Sequence, residues 1–323
     1  MIVVITHQRD AHGKHMIELL REHGEMVFPL NYALYPQELG IGFSLGSGDG
    51  FSFRLPDGTQ IEGQAVKSVL NRRRAEPEAP NSIRDQRIRD YIVRESTSFL
   101  DALPHLLDCF WLSNPDAVRV ASRKPHQLVV AQRIGFVVPP TLITNSPEDV
   151  ESFVAKLGGD VACKTLWTPG ITLEREGEET GIALYTKRLA REELLKNLPR
   201  VQNCPMIFQQ YVEKAFELRI TVVEELAFAC AIYSQATETT REDWRNYDIA
   251  RTPHKQYQLP SGLHAKCIQL VKELGLSFGC IDMIVTPEGE YVFLEINPNG
   301  QWLWIEHLTG LPISETMVQA LMR

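Results

Sequence analysis

The chain opens on a short β-branched run, Met1 to Thr6, followed by a stretch of helical period ending near Gly24 and a second apolar run, Met26 to Leu30. This alternation predicts the start of an α/β layer. Phe51 to Leu55 and Gln60 to Glu62 flank a turn, Pro56-Asp57-Gly58-Thr59, and read as a hairpin. Gly46-Ser47-Gly48-Asp49-Gly50 has the glycines of a phosphate loop but not the strand-to-helix setting, so a loop leading into that hairpin fits better. A third apolar run, Ala65 to Leu70, ends in Asn71-Arg72-Arg73-Arg74 and a Pro/Glu loop, and a long helical stretch comes next, from Ile83 to about Leu107. At Trp111 to Pro115 the Asn-Pro pair stops the preceding element, which predicts a domain boundary near residue 115.

Beyond it, a helix with Pro125 in its first turn runs to Gly135, Val137 to Thr144 is extended, and Ser146-Pro147-Glu148-Asp149 opens another helix. Val161 to Leu166 and Gly181 to Thr186 read as strands, and Arg191 to Leu198 as a charged helix. Met206 to Gln210, Glu217 to Val223, Leu226 to Gln235, Gly279 to Thr286 and Tyr291 to Asn297 complete the strand candidates.

Composition narrows the class. With 33 Lys+Arg against 41 Asp+Glu, the formal charge of -8 gives no polyanion-binding footprint and disfavours a nucleic-acid partner. No apolar stretch approaches the ~18 to 20 residues that span a bilayer, and MIVVIT breaks at once into His7-Gln8-Arg9-Asp10, so neither membrane nor signal peptide is expected and the protein is placed in the cytoplasm. The six cysteines form no CxxC pair and read as reduced packing residues.

The chemistry concentrates near the C terminus. The runs on either side of Pro287-Glu288-Gly289-Glu290 should form a hairpin, and if Thr286 pairs with Tyr291, Asp282 faces Glu295 across the ladder. Asn297, two residues on, shares the face of Glu295. Opposed like charges are destabilising unless a cation compensates, and two carboxylates with an amide suit a hard ion such as Mg2+. A solvated polar face on an edge hairpin is the alternative. Glu217-Leu-Arg-Ile-Thr-Val-Val alternates, setting Glu217, Arg219 and Thr221 on one face, either as a guanidinium site for phosphate or as a solvent-facing ion-pair row. Lys164, inside the apolar strand Val-Ala-Cys-Lys-Thr-Leu, needs to snorkel or to meet an anion. Lys124, beside Pro125, says less.

In order, these pieces resemble the ATP-grasp ligases: a lysine at a helix start, a lysine in a strand, Gln-x-Tyr-Val, Glu-x-Arg, then Asp and Glu-x-Asn. Ser122-Arg-Lys-Pro-His-Gln-Leu, Cys204-Pro-Met-Ile-Phe-Gln, Asp243-Trp-Arg and Phe293-Leu-Glu-Ile-Asn-Pro-Asn-Gly-Gln are similar to the microviridin-type branch, the graspetide synthetases that cross-link ribosomal peptides. The resemblance implies an α/β fold with α+β subdomains: a pre-ATP-grasp domain at 1–115, a central subdomain at 116–188 and a C-terminal subdomain at 189–323. It further implies that Lys124 and Lys164 hold ATP phosphates and that the backbone around Gln210 and Val212 reads adenine. Glu217 would contact ribose or a basic neighbour, Arg219 and Arg245 the transferred phosphoryl and acyl oxygens, and Asp282, Glu295 and Asn297 one or two Mg2+ ions. Glu192, Glu193 and Asn197 would hold the leader segment of a precursor peptide, with Arg73 and Arg74 as further peptide contacts. Two positions depart from the branch: Gln210 stands where the hinge usually has Glu, and Leu70-Asn71 where aromatic residues usually precede the arginines.

The stretch Trp167 to Thr180 is the expected lid over the triphosphate, with an ordinary strand connection as the alternative. The charged helix has Leu194, Leu195 and Leu198 to pack inward, and its acids are equally explained as a solvated face. His12 and His15 lack a third metal ligand nearby in sequence. The resemblance implies activation of Asp/Glu side chains as acyl phosphates and closure to lactones or lactams. A ligase joining a free amino acid or small amine to a carboxylate is the alternative, and a non-catalytic ATP binder the third reading. A homodimer is expected on general grounds.

Overall fold

The computed structural model describes residues 1–46, 50–167, 170–175, 178–246 and 248–323. Its first layer is a parallel sheet ordered Val27–Leu30, Ile2–Ile5, Ser68–Asn71, Phe110–Leu112. All four residues of Ile2–Ile5 are buried, as a strand covered on both faces requires. The helix Ala11–Glu22 comes after it, and Gly13 permits the approach: a Cβ there would lie 2.1 Å from Thr6 Oγ1. Gly50–Arg54 and Gln60–Glu62 pair as expected and gain a third strand, Gly40–Ser44. Residues 47–49 of the glycine-rich segment lie outside the described residues. The stretch from Ile83 to Leu107 is two helices, Gln86–Leu100 and Leu103–Leu106, because Asp101 ends the first and Pro104 starts the second.

Helix Pro115–Ala121, capped by Asn114, leads into helix Lys124–Ile134, which Gly135 closes at φ +93°. The central sheet is antiparallel, ordered Lys187–Leu189, Val161–Lys164, Met206–Gln210, Thr141–Thr144, and is backed by helix Pro147–Leu157. The strand expected over Gly181 to Thr186 is displaced: Glu178–Ala183 pairs with Gly170–Arg175 as a separate hairpin, and Lys187–Leu189 rejoins the sheet. The charged helix is also shorter, Arg191–Lys196, because Pro199 tightens the next segment, Leu198–Asn203, into a 3-10 helix.

A five-stranded antiparallel sheet completes the fold, ordered His254–Tyr257, Leu226–Ile232, Phe216–Val223, Phe278–Val285, Tyr291–Asn297. Leu218, Ile220 and Val222 face a core with helices Lys124–Ile134 and Ser261–Glu273. The opposite face shares its core with the N-terminal layer through Trp302 and helix Ile313–Met322. All six cysteines are free, four of them buried, while Cys204 is exposed rather than a packing residue. Among the described residues no helix is long and apolar enough to cross a membrane.

Candidate active site

A cleft opens between the central and C-terminal sheets, lined by Lys124, Lys164, Arg245, Asp282 and Glu295 among others. Its floor is the C-terminal hairpin, and Asp282 does lie directly opposite Glu295. The path to that pairing differs from the sequence expectation. Val285, not Thr286, pairs with Tyr291, so the ladder starts one residue out of step. A bulge between Asp282 and Met283 leaves Leu294 unpaired and restores the register, and both acids reach the cleft. Asn297 pairs with Cys280 two steps further out, outside the cleft lining; it is exposed, and its Oδ1 accepts from Asn299 N at 3.1 Å.

Each acid has a cationic partner. Arg219, on the neighbouring strand at the Asp282 register, donates from Nη1 to both Asp282 oxygens at 3.0 and 2.8 Å. Lys124, at the start of its helix, reaches Glu295 Oε2 at 3.0 Å and donates to Thr165 O at 3.1 Å. Burial, and the Glu295 charge beside it, push Asp282 up against the pull of Arg219. Burial raises Glu295 too, but Lys124, Arg245 and Lys164 together outweigh it and hold that carboxyl low.

Lys164 points into the cleft from Val161–Lys164 and donates to Gln209 Oε1 at 2.7 Å. Burial pulls its ammonium down to about 8, with Glu295 opposing and Lys124 and Arg245 adding repulsion. The polar face of Phe216–Val223 is not solvent-facing: Glu217 and Arg219 are each 5% exposed and Thr221 is fully buried. Glu217 meets Lys214 Nζ at 2.6 Å, the basic neighbour rather than solvent. Arg219 is packed behind Asp282, its guanidinium 5.9 Å from the Trp244 ring. Arg245 lines the cleft directly, locked to Asp243 through Nε and Nη2 at 2.8 and 2.5 Å.

Gln210 and Val212 lie at the cleft's hinge end. The Gln210 N–H is used by Pro140 O and the Tyr211 N–H by Asp160 O, whereas among the described residues the Val212 N–H donates to no backbone carbonyl. Thus Lys124, Lys164, Gln210, Val212, Glu217, Arg245, Asp282 and Glu295 converge, with Arg219 behind them. Glu192, Glu193, Asn197, Arg73 and Arg74 lie outside the cleft: Glu193 pairs with Lys187 at 3.1 Å and Arg74 with Asp101 at 2.7 Å. Of the expected lid, residues 168–169 and 176–177, including Pro169 and Gly177, lie outside the described residues.

Three cleft residues have no signal in the sequence that assigns them. Lys214 comes after the hinge in an unpatterned loop, Gln209 reads as an ordinary strand residue, and Asp243 is notable only for its place in Asp-Trp-Arg. Arg72 sits elsewhere but is buried at 1% exposure, against Trp302 and Asp10 and donating to Asn299 O at 2.7 Å.

Residues 121–321 match the RimK-like ATP-grasp domain. The chain belongs to that family. Residues 1–119 match the MvdD pre-ATP grasp domain. A RiPP-associated ATP-grasp ligase of Chryseobacterium gregarium, solved with ADP and a leader and core peptide, is 29% identical with a TM-score of 0.89, over 99% of this chain and 96% of that one. Macrocyclase MdnC of Microcystis aeruginosa MRC, solved with precursor peptide MdnA, is 30% identical with a TM-score of 0.85, over 99% of each chain. A "Probable alpha-L-glutamate ligase" of Pectobacterium carotovorum subsp. carotovorum (strain PC1) is 27% identical over 217 residues, 66% of this chain and 67% of the relative. The resemblance to the microviridin-type ligases is therefore borne out, and this ATP-grasp ligase is an enzyme of the ADP-forming kind.

Proposed function

We propose that this ATP-grasp ligase activates Asp or Glu side chains of a ribosomal precursor peptide with ATP and Mg2+ and closes them into intramolecular esters or amides. The observation that carries the reading is the opposed Asp282–Glu295 pair in a cleft ringed by Lys124, Lys164 and Arg245. Support comes from the end-to-end likeness to ligases solved with leader, core or precursor peptides.

The residues fit a hard divalent ion. Four cations in and behind the cleft are already matched by acids, Lys124 by Glu295, Arg219 by Asp282, Arg245 by Asp243 and Lys214 by Glu217. A triphosphate therefore brings charge that the side chains alone do not balance. Asp282 and Glu295 would hold such an ion through their carboxylate oxygens, with Asn297 as a further amide ligand. One or two ions, shared with the nucleotide, would sit there on this reading. Bound Mg2+ supplies charge compensation at the phosphates.

The chain's own groups supply position. Lys124 and Lys164 hold phosphate oxygens, the Val212 N–H and Gln210 carbonyl take the adenine edge, Glu217 keeps Lys214 in place or contacts the ribose, and Arg245 faces the acyl and phosphoryl oxygens with Arg219 fixing Asp282 behind it. A peptide carboxylate attacks the γ-phosphorus and ADP leaves. A Ser/Thr hydroxyl or Lys amine then attacks the acyl phosphate, losing its proton as phosphate departs. On this reading the stretch from Trp167 to Thr180 serves as the lid that keeps water from the acyl phosphate.

On this reading the chain divides at 115 and 188, Glu192, Glu193 and Asn197 receive the leader segment, Arg73 and Arg74 contact the peptide, and the enzyme works in the cytoplasm as a homodimer. Glu295→Gln should abolish Mg-dependent ADP formation; unchanged turnover would overturn the assignment. The glutamate-ligase relatives favour a second reading, transfer of a free amino acid, which predicts ADP release with glutamate and no peptide.

A further inference from the structure

Gln127 is a buried amide that the nucleotide reading leaves without a role. It lies one turn after Lys124 on helix Lys124–Ile134 and is 2% exposed. Its Oε1 accepts from Ile296 N at 3.1 Å, and its Nε2 donates to Ile296 O at 2.8 Å and to Ala121 O at 2.6 Å. Both amide hydrogens and the carbonyl are used, and the group can face only one way, since the flipped amide would set its oxygen against two carbonyls. Ala121 and Ile296 are themselves buried, so without Gln127 these backbone groups could not turn to water instead.

The place of the contact gives it meaning. Ile296 stands between Glu295 and Asn297 in Tyr291–Asn297, the outermost strand of the five-stranded sheet. The N–H and C=O of one strand residue point to the same side, so the Gln127 amide takes the place of a neighbouring strand at this one residue. Along the same strand Val137 O accepts from Phe293 N at 2.8 Å. The helix therefore grips the backbone one residue past Glu295, while Lys124, three residues earlier on that helix, meets Glu295 Oε2 at 3.0 Å. Ala121 O, the last carbonyl of helix Pro115–Ala121, ties a third element to the same amide.

We infer that Gln127 is a positioning residue for the metal-binding acid, fixing the backbone between Glu295 and Asn297 against the helix that carries Lys124. The inference rests on the ligase reading and deepens it, naming what sets the acid and the phosphate-binding lysine in one frame. With its backbone held, Glu295 has only side-chain torsions to adjust when an ion and a nucleotide arrive. Without the amide, the strand end that carries it loses its tie to the helix, and the donor oxygens and Lys124 are no longer placed together.

The test compares wild type with Gln127→Met, which keeps length and packing, and Gln127→Glu, which as a carboxylate keeps the acceptor and loses both donations. Val130→Ala is the control, since Val130 is an apolar residue on the same helix, 3% exposed in the same core, whose truncation loosens packing alone. Mn2+ binding to the ADP-loaded enzyme, read by electron paramagnetic resonance, should weaken about tenfold in both Gln127 variants. Val130→Ala should lower the melting temperature and stay within about twofold of wild type in Mn2+ affinity. Independently of any ligand, amide exchange at Ile296 should quicken about tenfold in Gln127→Met. Wild-type Mn2+ affinity in both Gln127 variants, or an equal loss in Val130→Ala, would overturn the inference, as would unchanged exchange at Ile296. If wild type binds Mn2+ no more tightly than Glu295→Gln does, the metal reading fails and the inference falls with it; tight wild-type binding matched by the Gln127 variants sinks the inference alone. If Gln127→Met does not fold, Gln127→Glu decides by the same titration.

Discussion

Arg72→Met should be among the most damaging single changes in the chain, although Arg72 lies outside the cleft. The guanidinium leaves the end of strand Ser68–Asn71 and donates from Nη1 to Asn299 O at 2.7 Å and Asn299 Oδ1 at 2.6 Å. Asn299 Nδ2 donates back to Arg72 O. Asp10 lies 3.5 Å from Nε, itself buried, and Trp302 lies under the group at 5.2 Å. These contacts join the N-terminal layer to the loop after Asn297. Met keeps much of the packing on Trp302 but leaves Asp10 buried without its cation. Breaking one partner of a buried pair costs about 3 to 5 kcal/mol, and two lost charge-assisted bonds at about 1.5 to 3 kcal/mol each give a similar figure. Equilibrium urea unfolding followed by tryptophan fluorescence reads this directly, since Trp302 sits beneath the replaced group. Asp10→Asn combined with Arg72→Met should recover about 1 to 3 kcal/mol of that loss. A cost below about 1 kcal/mol for Arg72→Met, or strict additivity with Asp10→Asn, would refute the clamp.

Gly300→Ala should cost about 1 to 3 kcal/mol by overpacking, because its Cβ would fall 2.5 Å from Cys280 Cβ and 2.7 Å from Arg219 Nη2. Activity should fall further than stability explains, as Arg219 is pushed off Asp282; an unchanged melting temperature and kcat would contradict the packing. For pH, burial first and Arg72 second pull His12 down to about 4. The unfolded chain takes up that proton near 6.5 while the folded protein resists, so His12 supports stability fully above pH 6.5 and loses it as pH falls toward 4. The loss reaches about 2 kcal/mol at about pH 5, and His12→Gln should flatten that part of the urea profile; an identical profile would contradict it. Lys164→Met should weaken ATP binding measured by calorimetry by about tenfold or more, since a cleft cation is lost, without lowering the melting temperature; equal affinity would remove Lys164 from the phosphate site.

The fold is readable where periodicity and stop signals agree. Met206–Gln210 and Tyr291–Asn297 fall where expected because their apolar residues are bounded by Pro205 and Pro298 or by turn residues. His254–Tyr257 is invisible to pattern reading, since His-Lys-Gln-Tyr on an edge strand carries no alternation. The stretch after Ile83 misleads because a helical period does not register the short interruption at Asp101 and Ala102. Helix Ser261–Glu273 and the two that close the chain have no counterpart among the expected elements.

The site is readable to the extent that one strand or hairpin encodes it. Asp282 faces Glu295 as the hairpin pairing requires, but through a bulge that no pairing rule locates in advance. The alternation of Glu217 and Arg219 is legible; that both are buried is not, because the Trp244 ring beside Arg219 and the Glu242 carbonyl that holds Lys214 come from a loop distant in sequence. Arg72 and Arg73 look alike in Asn-Arg-Arg-Arg, and only the docking of the C-terminal loop makes the first a buried clamp and leaves the second exposed.

The central claim is tested most directly by mass spectrometry of the precursor peptide encoded beside the gene after incubation with the enzyme, ATP and Mg2+. Successive losses of one water per cross-link are expected, each matched by one ADP, and none with Glu295→Gln. No loss of water from any neighbouring peptide, with ADP formed instead on free glutamate or another small amine, would contradict it.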